Sequence, residues 1–109
     1  MKKILILEDD SILKSLYSVI LKDYVINIVD DVKSAIQLSK ENHYDLFITD
    51  LRLNGSDETG VDFIKTGIAP VLIVSAVDLH QMSFGKPMNY LQKPIRNTVL
   101  LDTVRTLLK

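Results

Sequence analysis

Short apolar runs along the chain break off abruptly on charged or hydroxyl residues, and between them apolar residues recur at helical spacing. Lys3 to Leu7 is continuously apolar from Ile4 onward, the pattern of a strand buried on both faces. Tyr24 to Val29, Leu46 to Asp50, Val71 to Val74 behind Pro70, and Asn89 to Gln92 read as four further strands, rich in branched and aromatic side chains. Asp10 or Ser11 caps a helix to about Lys22, with Ile12, Leu13, Leu16, Val19 and Ile20 on one face. Asp30 or Asp31 caps a second helix carrying Val32, Ala35, Ile36 and Leu38, which Asn42 and His43 close. Leu51 to Gly60 reads as a loop. A short helix through Val61, Phe63 and Ile64 follows and stops near Gly67. Residues 78 to 87 hold one or two helical turns around Leu79, Met82 and Phe84, and a last helix runs from about Asn97 to Leu108. Leu100, Leu101, Val104, Leu107 and Leu108 share a face of that last helix, and Leu16, Val19, Phe63 and Met82 are assigned to the core. Alternating strands and helices with right-handed crossovers predict an α/β fold, a parallel sheet covered on both sides.

The strand ends carry the chemistry. The first run ends on Glu8 and Asp9, the third on Asp50, the fourth on Ser75, and the fifth on Gln92 and Lys93. In an open parallel sheet a ligand binds just beyond the carboxyl ends of the strands, so these ends predict one site. Glu8, Asp9 and Asp50 would bring three carboxylates together there, an arrangement that recruits a hard cation such as Mg²⁺. Asp9 and Asp50 are the natural direct ligands, with Glu8 acting through water. Lys93 can pair with a phosphoryl oxygen or with Asp50, and Ser75 offers a hydroxyl donor. A carboxylate can attack phosphorus to give an aspartyl phosphate, which makes Asp50 the candidate nucleophile. Asp10 is read first as a helix cap, and His43 and His80 as surface residues without metal-ligand spacing.

Composition narrows the partners. Among 109 residues, 47% are apolar and 25% charged, as in an ordinary globular domain, and the length fits one domain over residues 1–109. A formal net charge of -1 without basic runs gives no footprint for nucleic acid or an anionic membrane. The chain has no cysteine, which excludes disulfides and thiolate sites. Met1, Lys2 and Lys3 before an apolar run have the outline of a signal peptide, but Glu8, Asp9 and Asp10 stop that run after four residues. Together these features predict a cytoplasmic protein without membrane segments.

With those residues in place, the chain resembles the receiver domain of two-component response regulators along its whole length. Ile4 to Asp10 is similar to the family's opening strand with its acidic pair, and Phe47 to Leu51 to the phosphoacceptor strand. Val74-Ser75-Ala76 resembles the switch hydroxyl, and Tyr90-Leu91-Gln92-Lys93-Pro94 the switch aromatic followed by the family's lysine. The resemblance implies a flavodoxin-like, doubly wound sheet of order 2-1-3-4-5. It implies that Asp50 accepts a phosphoryl group from a sensor histidine kinase or phosphotransfer protein. Mg²⁺ would lie on Asp9, Asp50 and the Arg52 carbonyl, assisted by Glu8. Lys93 would hold the phosphoryl group, and Ser75 and Tyr90 would move in response, relaying the change to a surface that binds a downstream protein. Such a domain is no enzyme in its own right, although it assists its own phosphoryl transfer and slow dephosphorylation. The Lys93-Pro94 bond would be cis. The sequence departs from the family in a longer loop from Asp50 to Gly60, with Asn54 at a common proline position, and in shortened third and fourth helices.

Two other functions compete on sequence alone. A degenerate receiver would serve as a phosphorylation-independent interaction module. A small Mg²⁺-dependent phosphohydrolase would also use Asp50, but it needs a further acid-base carboxylate and a substrate cap, for which the chain has no room.

Overall fold

The structure is a computed structural model that describes residues 1–50, 70–76 and 89–109. Five strands are present: β1 (Lys3–Leu7), β2 (Val25–Val29), β3 (Leu46–Thr49), β4 (Val71–Ser75) and β5 (Asn89–Gln92). Three helices accompany them among the described residues: α1 (Ser11–Ile20), α2 (Val32–Glu41) and α3 (Asn97–Leu107). The strands form one parallel sheet of order β2-β1-β3-β4-β5, the doubly wound arrangement expected from the sequence. The expected loop after Asp50 with Arg52 and Asn54, the short helix with Phe63, the turns around His80 and Met82, and thus the shortened third and fourth helices, lie outside the described residues.

Strand side chains alternate between the two faces, and each face has its own core. Leu5, Leu7, Phe47, Val71 and Ile73 pack with Ala35 of α2 and with Tyr44. Ile4, Ile6, Leu46, Ile48, Leu72 and Val74 point the other way and pack against Tyr17 and Leu21 on the α1 side and Leu100 and Val104 of α3. β1, β3 and β4 are buried almost throughout because both faces are covered, which explains their unbroken apolar sequences. Among the described residues no helix is long and apolar enough to cross a membrane.

The first helix departs from its predicted face. Ile12 and Val19 are 73% and 69% exposed, and Leu16 is on the surface as well. The stripe that meets the sheet is Leu13, Tyr17, Ile20 and Leu21, about one residue, or 100°, around the helix. Leu13 and Ile20 belong to the predicted face and pack as expected, whereas Ile12, Leu16 and Val19 do not, because Tyr17 and Leu21 complete the stripe on the sheet. α3 keeps its predicted face, with Leu100 and Val104 buried.

Helix starts follow the expected chemistry. The Asp10 carboxylate accepts the N–H groups of Ile12 and Leu13 at 2.8 and 3.2 Å, so Asp10 is the cap of α1, and Asp31 accepts the N–H of Ser34 at 2.7 Å in α2. Replacing Asp10 by Ala leaves those donors to water and is expected to cost about 1 kcal/mol of stability in a denaturant titration. Asp10→Asn, which keeps the acceptor, should recover most of it.

Candidate functional site

Glu8, Asp50 and Lys93 each stand one residue beyond a strand, held there by a backbone bond that extends the sheet. The Glu8 N–H donates to the Val29 carbonyl at 3.0 Å, continuing β1 along β2. The Asp50 N–H donates to Leu7 at 3.2 Å, and the Lys93 N–H to Ser75 at 2.8 Å. Three side chains from distant parts of the sequence are therefore aimed by the sheet register itself.

They meet through the Lys93 ammonium. Its Nζ donates to Asp50 Oδ2 at 2.6 Å and to Glu8 Oε1 at 3.0 Å. The other Glu8 oxygen, Oε2, accepts the N–H groups of Asp9 and Asp10 at 3.1 and 3.2 Å, which fixes the carboxylate in the turn leading into α1. Glu8 and Asp50 are buried, whereas Asp9 is half-buried beside them.

Burial dominates the electrostatics of Glu8. Loss of water pushes its carboxyl above the usual glutamate range, and the hydrogen bond and charge of Lys93 offset only part of this. Burial pulls the Lys93 ammonium down, but its bonds and charge pairing with Asp50 and Glu8 prevail and hold it above the ordinary lysine value. One cation thus serves two buried carboxylates.

The expected gathering of three carboxylates is not what the structure holds. Among the described residues no group of three acidic or histidine side chains is placed to hold an ion, and Lys93 bridges Glu8 and Asp50. The donor set still fits Mg²⁺, which binds through one or two carboxylates and completes its shell with water and phosphate oxygens. Glu8, Asp9 and Asp50 carry more negative charge than Lys93 neutralises, and their oxygens are the hard donors this ion prefers. Arg52, the expected carbonyl ligand, lies outside the described residues.

Ser75 and Tyr90 lie beside this cluster. Ser75 is fully buried at the end of β4, and its carbonyl accepts the Lys93 N–H and, at 3.4 Å, the Tyr90 hydroxyl. Tyr90 sits in the register of Ile73 and packs part-buried on the core of that face. The Lys93-Pro94 peptide is cis, as the resemblance implied. His43 is on the surface, as predicted, with its ring 3.3 Å from Asp45. A groove of about 380 Å³ beside Lys93 is lined by Leu13, Leu16, Ala76, Pro94 and Ile95, a feature invisible in the sequence because its walls come from three separate segments.

Comparison with known proteins agrees with the fold. Residues 4–105 match the family described as response regulator receiver domain. The chemotaxis response regulator CheY4 of Vibrio cholerae superposes with a TM-score of 0.85 at 22% identity over 98% of both chains. A two-component response regulator from Clostridium difficile gives 0.85 at 24% identity, covering 99% of this chain and 96% of that one. The receiver domain of the hybrid histidine kinase CckA gives 0.80 at 26% identity, over 98% of this chain and 99% of that one. Among curated protein sequences nothing matches.

Proposed function

The chain belongs to the response regulator receiver domain family, the phosphoaccepting module of two-component signalling, and from that premise we propose that Asp50 is its phosphoacceptor. The observation that carries this reading is the 2.6 Å contact between Lys93 Nζ and Asp50 Oδ2 at the carboxyl end of the sheet. It supplies a buried nucleophile with a fixed positive charge where phosphoryl oxygens would accumulate negative charge.

In the proposed reaction an Asp50 oxygen attacks the phosphorus of a phosphohistidine on a kinase or phosphotransfer partner. The new P–O bond forms as the P–N bond breaks, and the imidazole leaves with the electron pair and takes up a proton. Lys93 orients Asp50 before transfer and pairs with the phosphoryl group afterwards. Mg²⁺, held by Asp9, Asp50 and the Arg52 carbonyl with Glu8 acting through water, would supply further charge neutralisation. The Ser75 hydroxyl then turns toward the phosphoryl group. Tyr90 follows, and the surface of β5 and α3 presents the change to a downstream protein. The groove lined by Leu13, Leu16, Pro94 and Ile95 gives the donor protein an apolar seat beside Lys93. Residues 1–109 work in this reading as a single receiver domain.

The test is intact mass after incubation with a small-molecule phosphodonor. One phosphoryl adduct with Mg²⁺, lost when a chelator is added, is the expected result. A folded protein that gains none under either condition fits a phosphorylation-independent interaction module instead.

A further inference from the structure

The buried tyrosine of α1 has no role in the reaction as described, yet its hydroxyl is costly to keep. Tyr17 is 1% exposed and surrounded by Ile4, Ile6, Ile48 and Val74. The Tyr44 hydroxyl donates to Asn27 Oδ1 at 2.8 Å, and that of Tyr90 to Ser75, whereas among the described residues no partner accepts from Tyr17. A buried donor without an acceptor destabilises the fold, so a phenylalanine would suit this position better in the resting state.

The direction of the ring indicates its use. Helical side chains lean toward the helix N-terminus. From α1 that direction leads to the strand end bearing Glu8. Burial, then the charge of Glu8, then that of Asp50, push the Tyr17 hydroxyl far above the usual tyrosine value. Ile6 and Ile48, which share its core, stand two residues before Glu8 and Asp50 on the same face of the sheet, so the hydroxyl is a donor on the side of both charges.

Resting on the phosphoacceptor reading, we propose that Tyr17 is a positioning residue that donates to Glu8 Oε1 once Lys93 leaves that oxygen for the phosphoryl group on Asp50. In the resting site Glu8 Oε2 is held by two backbone N–H groups and Oε1 by Lys93. Transfer of the ammonium to the phosphoryl group removes the side-chain donor to Oε1 and leaves a buried carboxylate to be stabilised. Tyr17 supplies the replacement donor from inside the core, without rearrangement of the backbone.

Tyr17→Phe tests this without altering the shape of the core. Three readouts are compared between the parent protein and the variant: the resting unfolding midpoint, the adduct yield at limiting small-molecule phosphodonor with Mg²⁺, and the lifetime of the adduct. A carbon-13 label at Tyr17 Cζ in the parent protein reports the hydroxyl directly. The expected result is a resting midpoint unchanged or raised, and an adduct yield or lifetime lower by about tenfold, the scale of one hydrogen bond to a charged group. The Cζ resonance should shift when the adduct forms. An unchanged adduct in the variant, a Cζ resonance that does not respond, or a resting midpoint that falls in step with the adduct would each overturn the inference. Absence of any adduct in the parent protein would overturn the phosphoacceptor reading, and this inference with it.

Discussion

Replacing Asp50 by Asn is expected to abolish phosphoryl uptake completely while leaving the fold intact. An amide has no carboxylate lone pair with the nucleophilicity needed to attack phosphorus, so no acyl phosphate can form at that position. The fold should survive because the asparagine oxygen still accepts from Lys93, whose second bond, to Glu8 Oε1 at 3.0 Å, is untouched. In the parent protein one ammonium faces two buried carboxylates, and the Asp50 charge adds to the forces that push Glu8 upward. Removing that charge leaves a neutral Glu8–Lys93 pair, and the unfolding midpoint should stay level or rise. Intact mass and a thermal scan on the same sample check both halves. A variant that still gains a phosphoryl group has another acceptor.

Lys93→Met should affect both stability and reaction. The substitution keeps most of the apolar stem and deletes the ammonium on which Glu8 and Asp50 converge, with the Lys93 side chain only 19% exposed. Removing one partner of a buried ion pair typically costs about 3 kcal/mol or more. The cost depends on pH in a direction that can be worked out. Glu8 is already raised above its ordinary value of 4.5 in the folded state, and Lys93 is its largest lowering influence, so the variant raises it further. A group raised on folding binds more protons folded than unfolded, so its contribution to stability is greatest at low pH. That contribution is lost as pH rises from the ordinary value through the folded one. The variant loses stability over a wider window than the parent protein, and its deficit should therefore grow from pH 5 to pH 8 in denaturant titrations. Adduct formation should slow by about 100-fold or more, the usual loss when one charge-stabilising donor is removed from a reacting centre. A deficit independent of pH would show that Glu8 does not carry the effect.

Much of this site was legible because β1, β3 and β4 are buried on both faces. Apart from Thr49 their runs have no polar interruption, so the reactive residue that follows each run marks the strand end. Glu8, Asp50 and Ser75 were identified in this way. Lys93 followed from the same logic at β5, and its pairing with Asp50 was among the two roles its charge allowed. Its second bond, to Glu8, depends on how β1 and β5 are spaced across β3 and β4, which no local pattern records. The face of α1 was harder. The predicted face joined residues of two stripes: Leu13 and Ile20 pack on the sheet with Tyr17 and Leu21, whereas Ile12, Leu16 and Val19 lie on the exposed side. The choice turned on Tyr17, whose ring fills the space under α1 that an aliphatic residue would leave open. A hydroxyl lowers the apparent hydrophobicity of such a residue although its ring is a large apolar body, and this concealed both the core stripe and the donor near Glu8.

The most direct test of the central claim is to locate the phosphoryl group chemically. An acyl phosphate on a carboxylate is reduced by borohydride to an alcohol, so a phosphorylated Asp50 becomes homoserine, which peptide mass spectrometry can place by residue. Homoserine at position 50 in protein treated with phosphodonor and Mg²⁺, and at no other aspartate, is the predicted result. Reduction at Asp9 or elsewhere with Asp50 intact, or a stable adduct that borohydride leaves unchanged, would contradict the account.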